Sequence, residues 1–303
     1  LEWAAVIGND GSQVSGVMRR VREIEEDRET LVLPLLEQLR QSPTSGARLR
    51  AGAQIALEAG AFGEAKTLAE AALDGLPDRT RRGFLTALAR QAQEVSAMEV
   101  ALWAYETLRE DAADGAETRA LDQRITDAAL ATGDTVRALE AQQSIADDLP
   151  KGSIERQQAL AEIIRIGIER GGVGTRGLLE AFREEFPDSP QVDEFLMTLA
   201  VRLDAGGDRE AAQSLLEGAA GPKSAIERAY LYLAAGEVVQ AREAFQGALS
   251  GVSAEVATEV ISLLDVLDRL EGETLTVFMR SAVLAHQRRT EEALSELDVA
   301  IES

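Results

Sequence analysis

Apolar residues recur at intervals of three and four along almost the whole chain. Leu85, Leu88, Ala89 and Ala92 mark one stripe, and Leu196, Leu199, Ala200 and Leu203 mark another. That interval is the repeat of a helix with one buried face. No segment sustains the two-residue alternation with β-branched enrichment that a strand requires. The stripes are short, about 12–15 residues, and turn signals break them at a regular interval. The pattern predicts an all-α protein made of many short helices.

The breaks repeat. EAGAFGEAKTLAEAALDGLP, from Glu58, and ATGDTVRALEAQQSIADDLP, from Ala131, each place a small residue five positions after a glycine and a proline seventeen positions after it. DAGGDREAAQSLLEGA, from Asp204, and AAGEVVQAREAFQGAL, from Ala234, share the frame. With Gly60, Ser96, Gly133, Gly171, Gly207 and Gly236 as turn residues, the spacings are 36, 37, 38, 36 and 29. A period of this size marks stacked helical hairpins, each burying its apolar face against its neighbours. An earlier hairpin closing at Pro43 and a later one, TEEALSELDVAI from Thr290, fit less strictly. Between Gly251 and Gly272 an additional helix, SAEVATEVISLLDVLDRL, interrupts the period.

These features resemble the tetratricopeptide repeat family, over roughly residues 12–303. The resemblance rests on the small residues Ala65, Ala138, Ala212, Ala241 and Ala293 early in each second helix. It rests also on Ala72, Ala219 and Ala248 near the ends of second helices, and on Pro77, Pro150 and Pro187 closing their units. It implies a right-handed αα superhelix of about seven or eight hairpins. EEFPDSP, from Glu184, looks like a variant common in bacterial envelope proteins. The chain departs from the family in its longer units, in lacking the first-helix tryptophan, and in Thr175 at an expected alanine. The expected organisation is the end of a preceding helix and turn over 1–11, repeats over 12–252, and the extra helix plus a final hairpin of the same solenoid over 253–303. The start at Leu1 reads as that of a processed chain or a fragment.

Charge narrows the partners. The net charge is −22, from 31 basic and 53 acidic residues, with 11 acidic against 4 basic over both 104–150 and 251–303. Nucleic-acid binding needs clustered cations and is disfavoured, as is adsorption to anionic membranes. No apolar run approaches the roughly 20 residues of a membrane helix. Cysteine is absent and His286 is the single histidine, which excludes thiolate chemistry and multi-histidine metal sites. Arginine outnumbers lysine 28 to 3.

GGVGTRGLLEAF, Gly171 to Phe182, contains G-x-G-x-x-G at Gly172, Gly174 and Gly177. That motif cradles a pyrophosphate only between a strand and a helix. Here it falls between AEIIRIGIER and LLEAFREEF, where the units turn, and reads as a glycine-loosened inter-helix turn. His286 ends an apolar helical face, where a helix C-terminus favours its charged form. The pairs Glu25-Glu26, Glu184-Glu185 and Glu291-Glu292 read as solvated helix faces. Trp3 and Trp103 read as packing residues. No hydrolase, zinc-protease or phosphate-loop motif occurs, so the expectation is no enzyme and no cofactor or metal.

The family resemblance implies a concave groove lined by first helices. Its frame places Arg50, Gln54, Arg90 and Gln93 there, with Gln123, Asp127, Arg165 and Tyr230. A guanidinium fork takes a carboxylate by paired hydrogen bonds, although neighbouring glutamates compete for it. The Lys/Asn clamp by which some family members hold a chaperone's C-terminal carboxylate is absent. The expected function is a non-catalytic scaffold binding a peptide or protein in the groove, in envelope assembly. The alternative is a self-associating structural solenoid, or the repeat region of a larger regulatory protein. TEEALSELDVAIES, apolar at Ala293, Leu294, Leu297 and Ile301, reads as a half-covered cap.

Overall fold

The computed structural model describes Ile7, 13–24, 27–41, 45–171 and 174–302, apart from the side chains of 299–302. Trp3, the Gly8–Gly11 break, Glu25-Glu26, Pro43, Gly172 and the Ile301 side chain therefore lie outside the described residues. Every regular element within them is a helix, and contacts group these helices into two compact units, divided after Pro150.

The first unit contains α1 (Val14–Arg22), α2 (Arg28–Arg40), α3 (Gly46–Ala59), α4 (Phe62–Leu73), α5 (Asp78–Glu94), α6 (Met98–Glu110), α7 (Gly115–Thr132) and α8 (Thr135–Asp148). Helices α3/α4, α5/α6 and α7/α8 form hairpins; α1 and α2 both pack on α3. First helix stacks on first helix (α3 on α5), and second on second (α4 on α6).

The second unit contains α9 (Ile154–Glu169), α10 (Thr175–Glu185), α11 (Gln191–Ala205), α12 (Arg209–Leu216), α13 (Pro222–Ala235), α14 (Val238–Ala248), α15 (Ala254–Arg269), α16 (Gly272–His286) and α17 (Thr290–Glu302). Its hairpins are α9/α10, α11/α12, α13/α14 and α16/α17, which makes seven among the described residues. Helix α15 is the additional helix. It does not displace the stack, because α16 packs directly on α13.

The turns explain the period. Gly60, Ser96, Gly133, Gly171, Gly207 and Gly236 all have positive φ, between 60° and 108°. After five of them the next residue donates its N–H to the carbonyl five positions back: Ala61 to Ala56, Ala97 to Ala92, Asp134 to Ala129, Asp208 to Leu203 and Glu237 to Tyr232. This closure satisfies the carbonyls left over at a helix end and needs a left-handed residue, which glycine supplies without steric cost. Arg288 repeats it at φ 62°, with Arg289 donating to Leu284. Sequence reading missed that turn because its residue is an arginine. Second helices then start on side-chain caps where the sequence offers them, Asp134 accepting from Arg137 N–H and Asp208 from Ala211 N–H.

The small residues five positions beyond each turn are buried where the hairpin closes. Ala65, Ala138, Ala212 and Ala241 are fully covered, and Ala293 is 5% exposed. The α9/α10 hairpin solves the same problem with the sizes exchanged. Thr175 is buried there, and Gly167 on α9 leaves room for it. A Cβ on Gly167 would stand 2.6 Å from Thr175 Oγ1. That hydroxyl has no hydrogen-bond partner among the described residues.

Candidate binding surfaces

The expected groove residues of the first unit lie on its first helices but differ in how free they are. Arg50 and Gln54 on α3 share a groove of about 310 Å³ with Phe84 and Ala87 on α5 and Val14 on α1. Arg50 is half-buried and forms no ion pair among the described residues. The Gln54 carbonyl accepts from Gln91 Nε2 at 2.9 Å. Arg90 is exposed and stands 3.8 Å from Glu94, a loose solvated pair. Gln93 is tied down, its Oε1 accepting from the Tyr105 hydroxyl at 2.8 Å. Gln123 and Asp127 are exposed and bonded to each other at 3.0 Å, and Gln123 also accepts from Gln142.

In the second unit Arg165 is exposed, pairs with Glu162 at 2.8 Å and lies 5.8 Å from the centre of the Phe195 ring. Tyr230 is half-buried at the centre of a small polar cluster. Its ring packs edge-on against Phe245 and stacks on His286, centroids 3.7 Å apart. His286 Nε2 is 2.8 Å from Glu227 Oε2, and Glu227 is 6% exposed. Burial, together with the negative charges of Glu259 and Glu227, raises the Tyr230 hydroxyl above its ordinary value. His286, in the last turn of α16, is thus held by a carboxylate from α13. Nothing in the sequence frame linked it to Glu227, 59 residues away.

Beside this cluster lies an opening of about 1080 Å³ between α15, α16 and α17. Leu263 and Val266 line it from α15, Phe278, Ala282 and Ala285 from α16, and Leu294 and Leu297 from α17. Glu255, Thr258, Glu259 and Ser262 edge it from α15. Helix α15 is apolar on too wide an arc for one contact. Val260, Leu264 and Leu267 are buried against α13, α14 and α16, while Leu263 and Val266 turn to the opening. The run ISLLDVL carries this double stripe, and the repeat frame obscured it by treating the helix as an interruption. Leu294, expected in a half-covered cap, is 56% exposed.

The nucleotide-motif glycines sit as the inter-helix reading requires. Gly174 is the left-handed residue before α10, Gly177 lies inside α10, and the preceding element is the helix α9. No group of three or more Asp, Glu or His side chains suited to a metal ion occurs among the described residues. No described helix is long and apolar enough to cross a membrane.

Hairpins closed by a left-handed turn, with a buried small residue five positions on, and stacked first helix on first helix, define the class: a tetratricopeptide-like helical-repeat protein. Solved structures similar to the chain include a tetratricopeptide repeat protein from Parabacteroides merdae, 19% identical over 84% of this chain and 100% of that one, with a TM-score of 0.30. A signal-transduction ATPase with a tetratricopeptide repeat sensor, from Pyrococcus horikoshii, is 15% identical over 98% of this chain and 48% of that one, with a TM-score of 0.37. A Rap protein complexed with competence and sporulation factor is 12% identical over 99% and 97%, with a TM-score of 0.34. At these scores the likenesses bear on no site and no partner. No family model matches the sequence, and no curated protein matches it.

Proposed function

We propose that the protein is a non-catalytic interaction scaffold that binds a peptide or protein partner on the exposed face of its first helices. The observation that carries this is Arg50. It stands in a groove made jointly by the first helices of two successive hairpins, beside Phe84 and Gln54, with no carboxylate partner among the described residues. In a chain of net charge −22 an arginine with no such partner is a vacancy for a carboxylate, which its planar fork holds directionally while its stem packs on apolar neighbours. Arg90, in its loose pair with Glu94, and Arg165, above Phe195, are secondary contacts of the same chemistry. The resemblance of EEFPDSP to an envelope-protein variant makes assembly of a bacterial envelope the specific setting carried forward.

A peptide array of acidic and carboxy-terminal sequences, probed with the purified protein, tests the reading. Arg50→Ala is expected to weaken the selected peptides by roughly tenfold. Arg79→Ala, in the first turn of α5, leaves them unchanged. Equal affinities for both variants would move binding away from this groove.

A further inference from the structure

The opening at the end of the second unit is a different surface from the arginine groove, and different observations carry it. Its floor and walls are helices that stand apart. Helix α17 packs on α16, α15 packs on α14, and α15 and α17 do not close on each other. The space between them, about 1080 Å³, exceeds the usual size of a small-molecule pocket. Leu263 and Val266 on one wall are three residues apart, as are Leu294 and Leu297 on the other, so each wall presents a row along its helix. Rows facing each other across a helix-wide gap match an apolar helical stripe of i, i+3, i+4 and i+7 spacing.

Charge selects among the helices that would fit. Glu255 and Glu259 stand one turn apart on the α15 edge, and neither forms an ion pair among the described residues. The other acids of α15 are already engaged, Asp265 by Arg269 and Asp268 by Arg242. Glu259 also adds to the negative field felt at Tyr230. A second copy of this chain, with 53 acidic against 31 basic residues, brings the wrong sign to this rim. We propose that the cleft between α15, α16 and α17 is a docking site for an amphipathic helix of a partner protein, with its apolar stripe on Leu263, Val266, Phe278, Leu294 and Leu297 and lysines or arginines over Glu255 and Glu259.

The probe is a fluorescently labelled synthetic peptide of about five helical turns, with leucines at the stated spacing and lysines flanking them. Its anisotropy is followed on titration with the intact protein. Binding is expected, and replacing the peptide's lysines with glutamates abolishes it. Leu294→Gln, at a side chain already 56% exposed, leaves the circular dichroism and melting of the protein unchanged and weakens the peptide by roughly tenfold. Glu255→Gln/Glu259→Gln also weakens it and flattens its salt dependence. Glu110→Gln/Asp147→Asn, which removes two exposed acids of the first unit, has no such effect. Wild-type affinity in Leu294→Gln overturns the proposal. So does equal weakening by the two neutralised pairs, since the attraction is then one of net charge. If sedimentation shows a dimer that Leu294→Gln dissolves, the cleft belongs to a second copy and the proposal falls. None of these outcomes depends on Arg50.

Discussion

The two units treat the same hairpin differently. In the first, turn residues follow at spacings of 36 and 37, and side chains between successive hairpins are spent on one another. Arg82 on α5 pairs with Glu117 on α7 and Arg109 on α6 with Asp122 on α7, both linking successive hairpins, while Arg119 pairs with Asp148 within the α7/α8 hairpin. In the second unit the turns at Gly207, Gly236 and Arg288 are 29 and 52 residues apart. The short interval and the inserted α15 leave side chains without the partner a regular repeat would bring. Leu294 is exposed, and Glu255 forms no ion pair among the described residues. In the first unit such pairs engage most of the charged side chains between hairpins, with Arg50 left free of one among the described residues, while in the second the inserted helix leaves an apolar opening.

If regular contacts consume their side chains, breaking one costs more than breaking a pair outside the stack. Asp122 is 1% exposed, and Arg109 holds it while also donating to Ser144 Oγ at 3.0 Å. Arg109→Ala strands a buried carboxylate and is expected to destabilise by about 3 kcal/mol in urea unfolding. The exposed Arg289–Glu292 pair of the second unit is the control, and Arg289→Ala leaves the urea midpoint near wild type. Similar shifts for both variants would show that the Asp122 contact is not specific to the regular stack.

The α9/α10 hairpin sharpens the comparison at its closest contact. The first unit puts alanine four positions before each turn, at Ala56, Ala92 and Ala129, all buried. The second unit begins with Gly167 in that place, facing Thr175. Gly167→Ala would force a Cβ to 2.6 Å from Thr175 Oγ1, so a destabilisation of about 1–2 kcal/mol is expected despite the better helix propensity of alanine. In a Thr175→Ala background the hydroxyl is gone and the same change is expected to stabilise, by up to about 1 kcal/mol. The reversal of sign is the test. If Gly167→Ala destabilises equally in both backgrounds, the contact is not the cause.

The period, the turn residues and the buried alanines were legible because each follows from local chemistry: a left-handed backbone, or a helix pair too close for a larger side chain. Thr175 was visible as a departure, but its compensation at Gly167 was not, because a glycine inside a helix carries no sign of what it faces. The candidate sites were less legible. The frame correctly put Arg50 and Gln54 on a first helix, but whether a neighbour engages each side chain is a matter of three-dimensional distance. Gln93 is tied by Tyr105 and Arg165 by Glu162 for that reason. The apolar cleft arises from the spacing of α15 and α17, which no local pattern encodes.

The smallest expected effect concerns the two turns that lack glycine. Ser96 in the first unit and Arg288 in the second have φ of 60° and 62°, against 87° and 77° at Gly60 and Gly133. All four carry the same hydrogen bond from the following residue, so the backbone demand is shared and the side chain is what differs. A non-glycine residue in this region is strained by Cβ against the following carbonyl, and glycine relieves that strain while adding freedom to the unfolded chain. Ser96→Gly is therefore expected to raise stability by about 0.5–1 kcal/mol, read as a rise in melting temperature. Arg288→Gly removes the same strain and also a long stem lining the cleft, whose packing offsets part of the gain. Its rise is expected to be the smaller of the two. Equal gains would show that the Arg288 stem contributes nothing to the cleft wall. A loss at Ser96 would show that its turn does not share the backbone demand of the glycine turns, and would break the repeat frame at the point where it is most regular.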